Sequence, residues 1–333
     1  REHAEVETYP AEDVFDDFYQ KSIFSKIQFR LGLSAIYLKI GNELLEKADL
    51  IKPDIILITK GMRTLPSVLK KLKSKGVYLA NYNPDHPFIF STRGSGNKNV
   101  TNSIGLFDLH LCYSKEVQQR IEREFGVNTA RLPFGFELST AQFDEAAQTE
   151  EVKRICFIGN PDSIRANYIK VMVKSGLPVD VYGHGWSKLL KATANLRIFD
   201  AVYGKTYWQK VRSYRVQVNI FRPHNEGSHN MRTFEIPAAG GIMLAPDSPE
   251  HREFFTEGKE IFLYKNKEDL IAQAKHILEM PGTTAAIIRR NARQRSLDSG
   301  YSYKHRAAQA FIAFEELLSN RKSQNISDRI LLQ

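Results

Sequence analysis

Short blocks of apolar residues alternate along this chain with longer stretches in which apolar positions return every third or fourth residue. These are the periodicities of buried strands and of one-sided helices. In the first half the blocks fall at 54–59, 76–81, 106–112 and 130–133. In the second they fall at 154–159, 179–183, 196–199, 216–221, 241–245 and 260–264. Helical spacing fills most of the gaps. Val68, Leu69 and Leu72 share one face of 65–75, with lysines on the other. Ser114 reads as an N-cap for a helix that Gly126 closes. Further helices are predicted at 164–175, 206–214, 231–239, 249–256 and 267–279. A last one, 303–319, carries Ala307, Ala310, Phe311, Phe314 and Leu317 on one face.

Strands alternating with helices of this length predict βαβ units, right-handed crossovers and parallel sheets covered on both sides. The polar stretch 137–151 separates two such halves. The expected division is therefore an N-terminal domain over 1–140, a second domain over 150–300, and a terminal helix with a fraying tail over 301–333. Residues 11–50 give a mixed signal. Phe15, Phe18, Ile23, Phe24, Ile27, Leu31 and Leu33 fit amphipathic helices, either buried as a layer or, with Lys21, Lys26 and Arg30, laid against a membrane surface.

The composition, 42% hydrophobic and 26% charged, is that of an ordinary globular chain. No apolar run approaches the roughly 18 residues that a membrane span needs. No signal peptide is visible, so a cytoplasmic protein is expected. The sequence begins at Arg1 without a methionine, and either a removed leader or a missing upstream segment accounts for that. Cys112 and Cys156 both sit in apolar blocks and read as buried thiols, not as a disulfide or a metal pair. The formal charge of +9 attracts anions without naming one. Lys70, Lys71, Lys73 and Lys75 read as one solvated helix face, which leaves nucleic acid resting on charge alone.

Ligands of open α/β sheets bind beyond the carboxyl ends of the strands, so the loops there hold the candidates. Gly159 ends one block and Arg165 opens the following helix; close backbone approach and a guanidinium at a positive helix end suit a phosphate. No GxGxxG and no P-loop pattern occurs. Gly183, His184, Gly185 and Trp186 follow the next block as a ligand wall or a plain turn. Tyr203 and Gly204 follow the third, where backbone groups suit a base edge and Tyr203 or Tyr207 suits stacking.

The richest segment, 222–241, runs from a strand into a helix. Arg232, near that helix start, suits a diphosphate. Glu235, one turn on, suits the two hydroxyls of a ribose. His224 and His229 lack the companion ligands of a zinc site, so no metal is expected, and both read as loop or phosphate-side residues. In the first half, Asp85 and His86 lie in the turn 83–87 and suit an acceptor hydroxyl, as base or as ligand. Lys60 and Arg63 add positive charge to the same edge, and 93–98 reads as a polar loop able to close over a ligand.

The run 231–245, with Arg232, Phe234, Glu235 and Gly240, and the run 254–264 resemble the CgeB/YkvP-like branch of the group 1 glycosyltransferases. Phe157-Ile-Gly159 with Arg165, Val181-Tyr-Gly183, and Tyr301-x-Tyr-x-x-Arg306 add to the resemblance. It spans about residues 50–315 and is specific over 154–265.

The resemblance implies a GT-B fold: two Rossmann-like domains with parallel sheets facing across a cleft, and a C-terminal helix crossing back to the first. It implies a hexosyltransferase, retaining, that uses a nucleoside diphosphate sugar, UDP-sugar foremost, with no other cofactor and no metal. The acceptor is a glycan, lipid or protein; a peripheral membrane contact stays open. Residue by residue, the resemblance implies Glu235 at the ribose, Arg232 at the diphosphate and Tyr203-Gly204 at the base; the residues themselves add Gly159, Arg165, Gly183, His229 and Thr233 to the expected donor site, with Asp85, His86 and Arg232 expected at the chemistry.

Two positions depart from the family. Where better-known members carry a first glutamate, this chain has Gly227 with Glu226 beside it. The family also opens with a strand and a glycine-rich loop, whereas 6–9 here reads as a second strand, so a first strand is expected to be missing. Both departures favour the alternative of a non-catalytic GT-B-like binding or coat-assembly protein.

Overall fold

The computed structural model describes residues 4–31, 34–90, 94–225 and 227–331, apart from the side chains of His224 and of 320–331. The chain opens with helices α1 (Ala11–Gln20), α2 (Ile23–Arg30) and α3 (Ile36–Ile51). There follow β1 (Ile55–Thr59), α4 (Pro66–Ser74), β2 (Tyr78–Tyr82), α5 (Lys98–Ser103), β3 (Leu109–Cys112), α6 (Lys115–Phe125) and β4 (Asn128–Arg131). Next come α7 (Thr140–Ala147), β5 (Val152–Ile158), α8 (Ser163–Lys174), β6 (Val179–Tyr182), β7 (Leu196–Phe199), α9 (Gly204–Ser213) and β8 (Tyr214–Val218). The chain ends with α10 (Met231–Ala238), β9 (Met243–Pro246), α11 (Pro249–Phe254), β10 (Phe262–Tyr264), α12 (Lys267–Glu279), α13 (Gly282–Asp298) and α14 (Tyr303–Leu331). Contacts sort these into two compact units, Arg1–Pro133 with Ala307–Gln333, and Phe134–Arg306.

The first unit holds a four-stranded parallel sheet in the order β1-β2-β3-β4. One core joins Leu79, Ile58 and Phe107 to Val68, Leu69 and Leu72 of α4 and Ala48 of α3. Another joins Ala80, Leu109, Leu111 and Leu132 to Ala313 and Leu317, so α14 covers sheet residues of this unit. The cap reading holds at α6, where the Ser114 hydroxyl accepts from the Val117 amide and Gly126 closes the helix at φ 63°. The segment 6–9 is irregular rather than a strand. Tyr9 instead joins Phe15, Ile36, Ile40 and Phe29 in a satellite core, its hydroxyl donating to Glu43 at 2.7 Å.

The second unit holds a six-stranded parallel sheet in the order β10-β9-β8-β5-β6-β7. Its core packs Ile155, Val179, Val181, Val216 and Leu244 against Ile169 and Met172 of α8 and Leu270 and Ile277 of α12. The stretch 137–151 is not a plain linker. It carries α7, started by a reciprocal Ser139–Gln142 capping box and fixed by the Arg293 guanidinium 3.4 Å over the Phe143 ring. Polar surface residues hid that helix. The helix α13 escaped prediction for a related reason: its buried side has Arg289 and Ser296 among Ala285, Ile288 and Ala292, so no apolar stripe marks it. Arg289 is satisfied there by the carbonyls of Arg212, Tyr214 and Gly240 and by Glu151.

The ends of the second unit are zipped together. The Phe136 amide donates to the Tyr301 carbonyl and the Tyr303 amide to that of Phe136. Gly135 lies where a Cβ would stand 2.7 Å from the Tyr301 carbonyl oxygen, so only glycine fits. Among the described residues no helix is long and apolar enough to cross a membrane.

Candidate active site

The sheet of the second unit reverses its winding between β5 and β8. From β5 the chain proceeds outward through β6 and β7, and from β8 outward the other way through β9 and β10. Such a switch point leaves a crevice at the carboxyl ends of the two central strands. Arg165 enters it from the first turn of α8, Arg222 from the loop after β8, and Arg232 from the first turn of α10.

Their bonds cross the crevice. Arg165 Nε donates to the Ile220 carbonyl at 3.3 Å and its NH1 to that of Asn160 at 3.0 Å. Arg232 Nε donates to the Ile158 carbonyl at 3.3 Å. Asp162, the N-cap of α8, lies 3.5 Å from Arg165 and 3.7 Å from Arg222. Burial, with repulsion from Arg222 and Arg232, pushes the Arg165 guanidinium down to about 10 against the pull of Asp162. Three guanidiniums held together at two helix starts form a place for an anion of more than one charge.

Glu235 is on α10, and its residue is buried. The Tyr207 hydroxyl donates to its Oε2 at 2.8 Å, and Arg232 pairs with the same oxygen. Burial works against the Arg232 charge, but the Tyr207 hydroxyl and the Glu235 carboxylate outweigh it, and the group is raised. Arg232 also stands 4.8 Å over the Tyr207 ring. The carboxylate is thus oriented by its neighbours and almost closed off from solvent.

The start of α10 is held by a buried polar network. Asn230 caps it and exchanges two bonds with Asn219. The Thr233 hydroxyl bonds His251 Nε2 at 2.8 Å, while His251 Nδ1 faces the Pro246 carbonyl at 2.7 Å. His229 has no exposure: Nε2 accepts from the Phe134 amide and Nδ1 contacts Glu250 at 2.5 Å, which also accepts from Ser228. The rings of Phe134, Phe234 and Phe254 pack around it. His229 and Thr233, both expected on the donor side, are buried in this network. Their polar atoms are consumed in fixing the loop and helix start that present Arg232.

The glycines hold a wall. Gly183 has φ 153°, and a Cβ there would meet the Gly159 carbonyl oxygen at 2.3 Å. The Gly159 amide donates to the Tyr182 carbonyl and Gly183 to that of Phe199, while Trp186 Nε1 donates to the Gly159 carbonyl at 2.9 Å. Beside them an open groove of about 370 Å³ is lined by Gly183, Gly185, Trp186, Phe199 and Asp200. Gly204, at φ 52°, begins α9, and Tyr203 before it is exposed.

In the first unit, Asp85 follows β2 and pairs with Lys60 at 2.7 Å. Lys60 has a left-handed backbone, φ 61°, at the end of β1. His86 is buried, with Nε2 3.0 Å from Glu116 and Nδ1 accepting from the Phe88 amide. Burial lowers its proton affinity against the pull of Glu116. Both nitrogens of His86, expected as a base or as a ligand of the acceptor hydroxyl, are engaged within this unit. Arg93 and Glu226 lie outside the described residues, as does the His224 side chain. Among the described residues no group of three or more His, Cys, Asp or Glu lies placed to hold a metal ion. Arg222 carried no assigned role in the sequence reading, although it stands directly after a strand; Tyr207, expected as a stacking partner for a base, instead donates to Glu235 and lies under Arg232.

Residues 165–311 match a family described as glycosyl transferase-like. That segment, less than half of the chain, contains all three arginines and Glu235. No curated protein matches the chain in sequence. Among solved structures, sucrose-phosphate synthase from Thermosynechococcus elongatus is similar at TM-score 0.66 and 12% identity, over 86% of this chain and 79% of that one. HepE of Anabaena, solved in complex with UDP-glucose, is similar at 0.61 and 12%, over 94% and 98%. The α,α-trehalose 6-phosphate synthase of Burkholderia multivorans is similar at 0.61 and 13%, over 95% and 85%. At these identities the likeness establishes the fold, which is GT-B, with Rossmann-like parallel sheets.

Proposed function

We propose that this chain transfers a sugar from a nucleoside diphosphate sugar, a UDP-sugar foremost, to a glycan, lipid or protein acceptor, as a CgeB/YkvP-like enzyme of the cytoplasm. The observation that carries the reading is the group of Arg165, Arg222 and Arg232 at the switch point of the second unit. When the bond from the anomeric carbon to the diphosphate breaks, negative charge gathers on the departing phosphate oxygens. Fixed guanidiniums and the positive ends of α8 and α10 stabilise that charge without reorganising. They supply what a divalent cation would otherwise supply, so we infer a metal-independent reaction. Retention at the anomeric carbon is carried over from the family.

Gly159 and Gly183 bring backbone close to the donor, and Tyr203 and Gly204 lie at the loop for the base. Glu235 takes the ribose hydroxyls through its Oε1 edge, since Tyr207 and Arg232 hold Oε2. For the acceptor hydroxyl our candidate is Asp85, not His86. The two free buried cysteines fit a reducing compartment.

Gly227, where the family carries its first glutamate, favours a second reading, a non-catalytic GT-B-like binding protein that holds the nucleotide alone. A panel of nucleoside diphosphates and their sugars, scored by thermal shift and by diphosphate release, separates them. One diphosphate should raise the melting temperature by mass action, and its sugar should be turned over. A shift without turnover for any donor selects the second reading. No shift from any nucleotide sinks both.

A further inference from the structure

The helix α2 is turned inside out. Its small polar residue Ser25 is buried, and Phe29 packs inward against Phe15, Tyr19 and Tyr37. Its large apolar side chains face solvent: Ile23 is 78% exposed, Phe24 67% and Ile27 46%, and Leu31, the C-cap, 66%. Positions 23, 27 and 31 succeed one another at helical spacing, with 24 beside them, so the four form one continuous arc. Lys26 and Arg30, four apart, run along one border of that arc, and Lys21 stands just before the helix. The helix carries no carboxylate. Single exposed apolar residues are ordinary, but a contiguous bulky arc marks a surface that something covers.

We propose that α2 is a peripheral membrane contact that docks the first unit on an anionic lipid surface. Ile23, Phe24, Ile27 and Leu31 enter the boundary between headgroups and acyl chains, and Lys21, Lys26 and Arg30 pair with lipid phosphates. An apolar arc bordered by Lys and Arg is the pattern of a helix lying in the plane of a bilayer. Charge decides between this occupant and a second copy of the chain. Two such helices face to face would oppose their basic borders, whereas anionic headgroups complement them. The exposed Asp13, Asp16 and Asp17 of α1 would be repelled by the same headgroups, so apolar insertion and the α2 cations are both required.

The test is cosedimentation with vesicles of phosphatidylcholine alone and of phosphatidylcholine mixed with phosphatidylglycerol. The wild type should pellet with the mixed vesicles, much less with the neutral ones, and less as salt is raised. Phe24→Ser with Ile27→Ser should abolish pelleting, and Lys26→Glu with Arg30→Glu should weaken it by roughly tenfold or more. Phe24, Ile27 and Arg30 are exposed, so the apolar variant should keep the wild-type melting temperature; Lys26 is half-buried, its ammonium 5.7 Å over the Tyr19 ring, so the charge variant is scored only if it melts within about a degree or two of the wild type, with Arg30→Glu alone as the check, and nucleotide binding should be unchanged in all. Failure to pellet with mixed vesicles overturns the proposal. So does equal pelleting by the variants. A wild-type dimer in sedimentation equilibrium that the apolar variant makes monomeric, with no vesicle binding, also overturns it and assigns the arc to self-association.

Discussion

Arg165, Arg222 and Arg232 are held near one another with Asp162 and Glu235 as the nearby carboxylates, an arrangement that gains when an anion arrives. Arg232→Ala removes the cation at the start of α10. A charge-assisted bond of about 1.5–3 kcal/mol corresponds to UDP affinity falling by roughly ten- to a hundredfold. Calorimetry reads it, with unchanged affinity counting against the site. His251 gives a pH prediction. Burial pushes it down to about 4, from an ordinary value of 6.5 that the unfolded chain regains. Between those values the unfolded chain binds the extra proton, so the folded state is most stable above pH 6.5 and loses stability as pH falls towards 4. Urea midpoints followed downward from neutral pH should decline over that window, and His251→Asn should flatten the decline. At this scale the sequence singles out Arg165 and Arg232 because each opens a helix beyond a strand, and Glu235 because it lies one turn on from Arg232. His229 was not, because what encloses it, the Phe134 amide and Glu250, is set by the fold.

Elements place those residues by backbone fit as much as by side chains. The ends of β5 and β6 approach through Gly159 and Gly183, and the wall of the groove depends on the missing Cβ at 183. Gly183→Ala forces a carbon against the Gly159 carbonyl. It should destabilise the protein by about 1–3 kcal/mol and also weaken nucleotide binding. A lowered melting temperature with unimpaired UDP affinity would separate the wall from the site. Strand identity came through from sequence because parallel strands buried on both faces are nearly continuous apolar blocks, as β8 and β9 are. The helix α7 did not. Its capping box, Ser139 with Gln142, lay in the sequence, but the surrounding polarity resembled a connector.

For the molecule, the last helix decides how the first unit is closed. Ala313 and Leu317, with Ala310 and Phe314, pack on Ala80, Leu109, Leu111 and Leu132. A chain ending at Arg306 exposes that face and should lose several kcal/mol, at about 1.5–3 kcal/mol for each large side chain uncovered. Limited proteolysis should then cut within 1–133 first, while UDP still protects the second unit; equal resistance of both would sink the assignment. The sequence by itself determined the alternation of strands and helices, the parallel sheets and the strand-end loops in which we place the anion site, because periodicity and strand polarity are local properties. The tertiary structure alone decided that Glu235 is clasped, that His229 and His86 are sealed, that the units divide at Pro133, and that α2 faces outward. The sealing of His229 and His86 rests on partners distant in sequence, such as His229 and the Phe134 amide, 95 positions apart, and burial by a distant partner leaves no periodic trace.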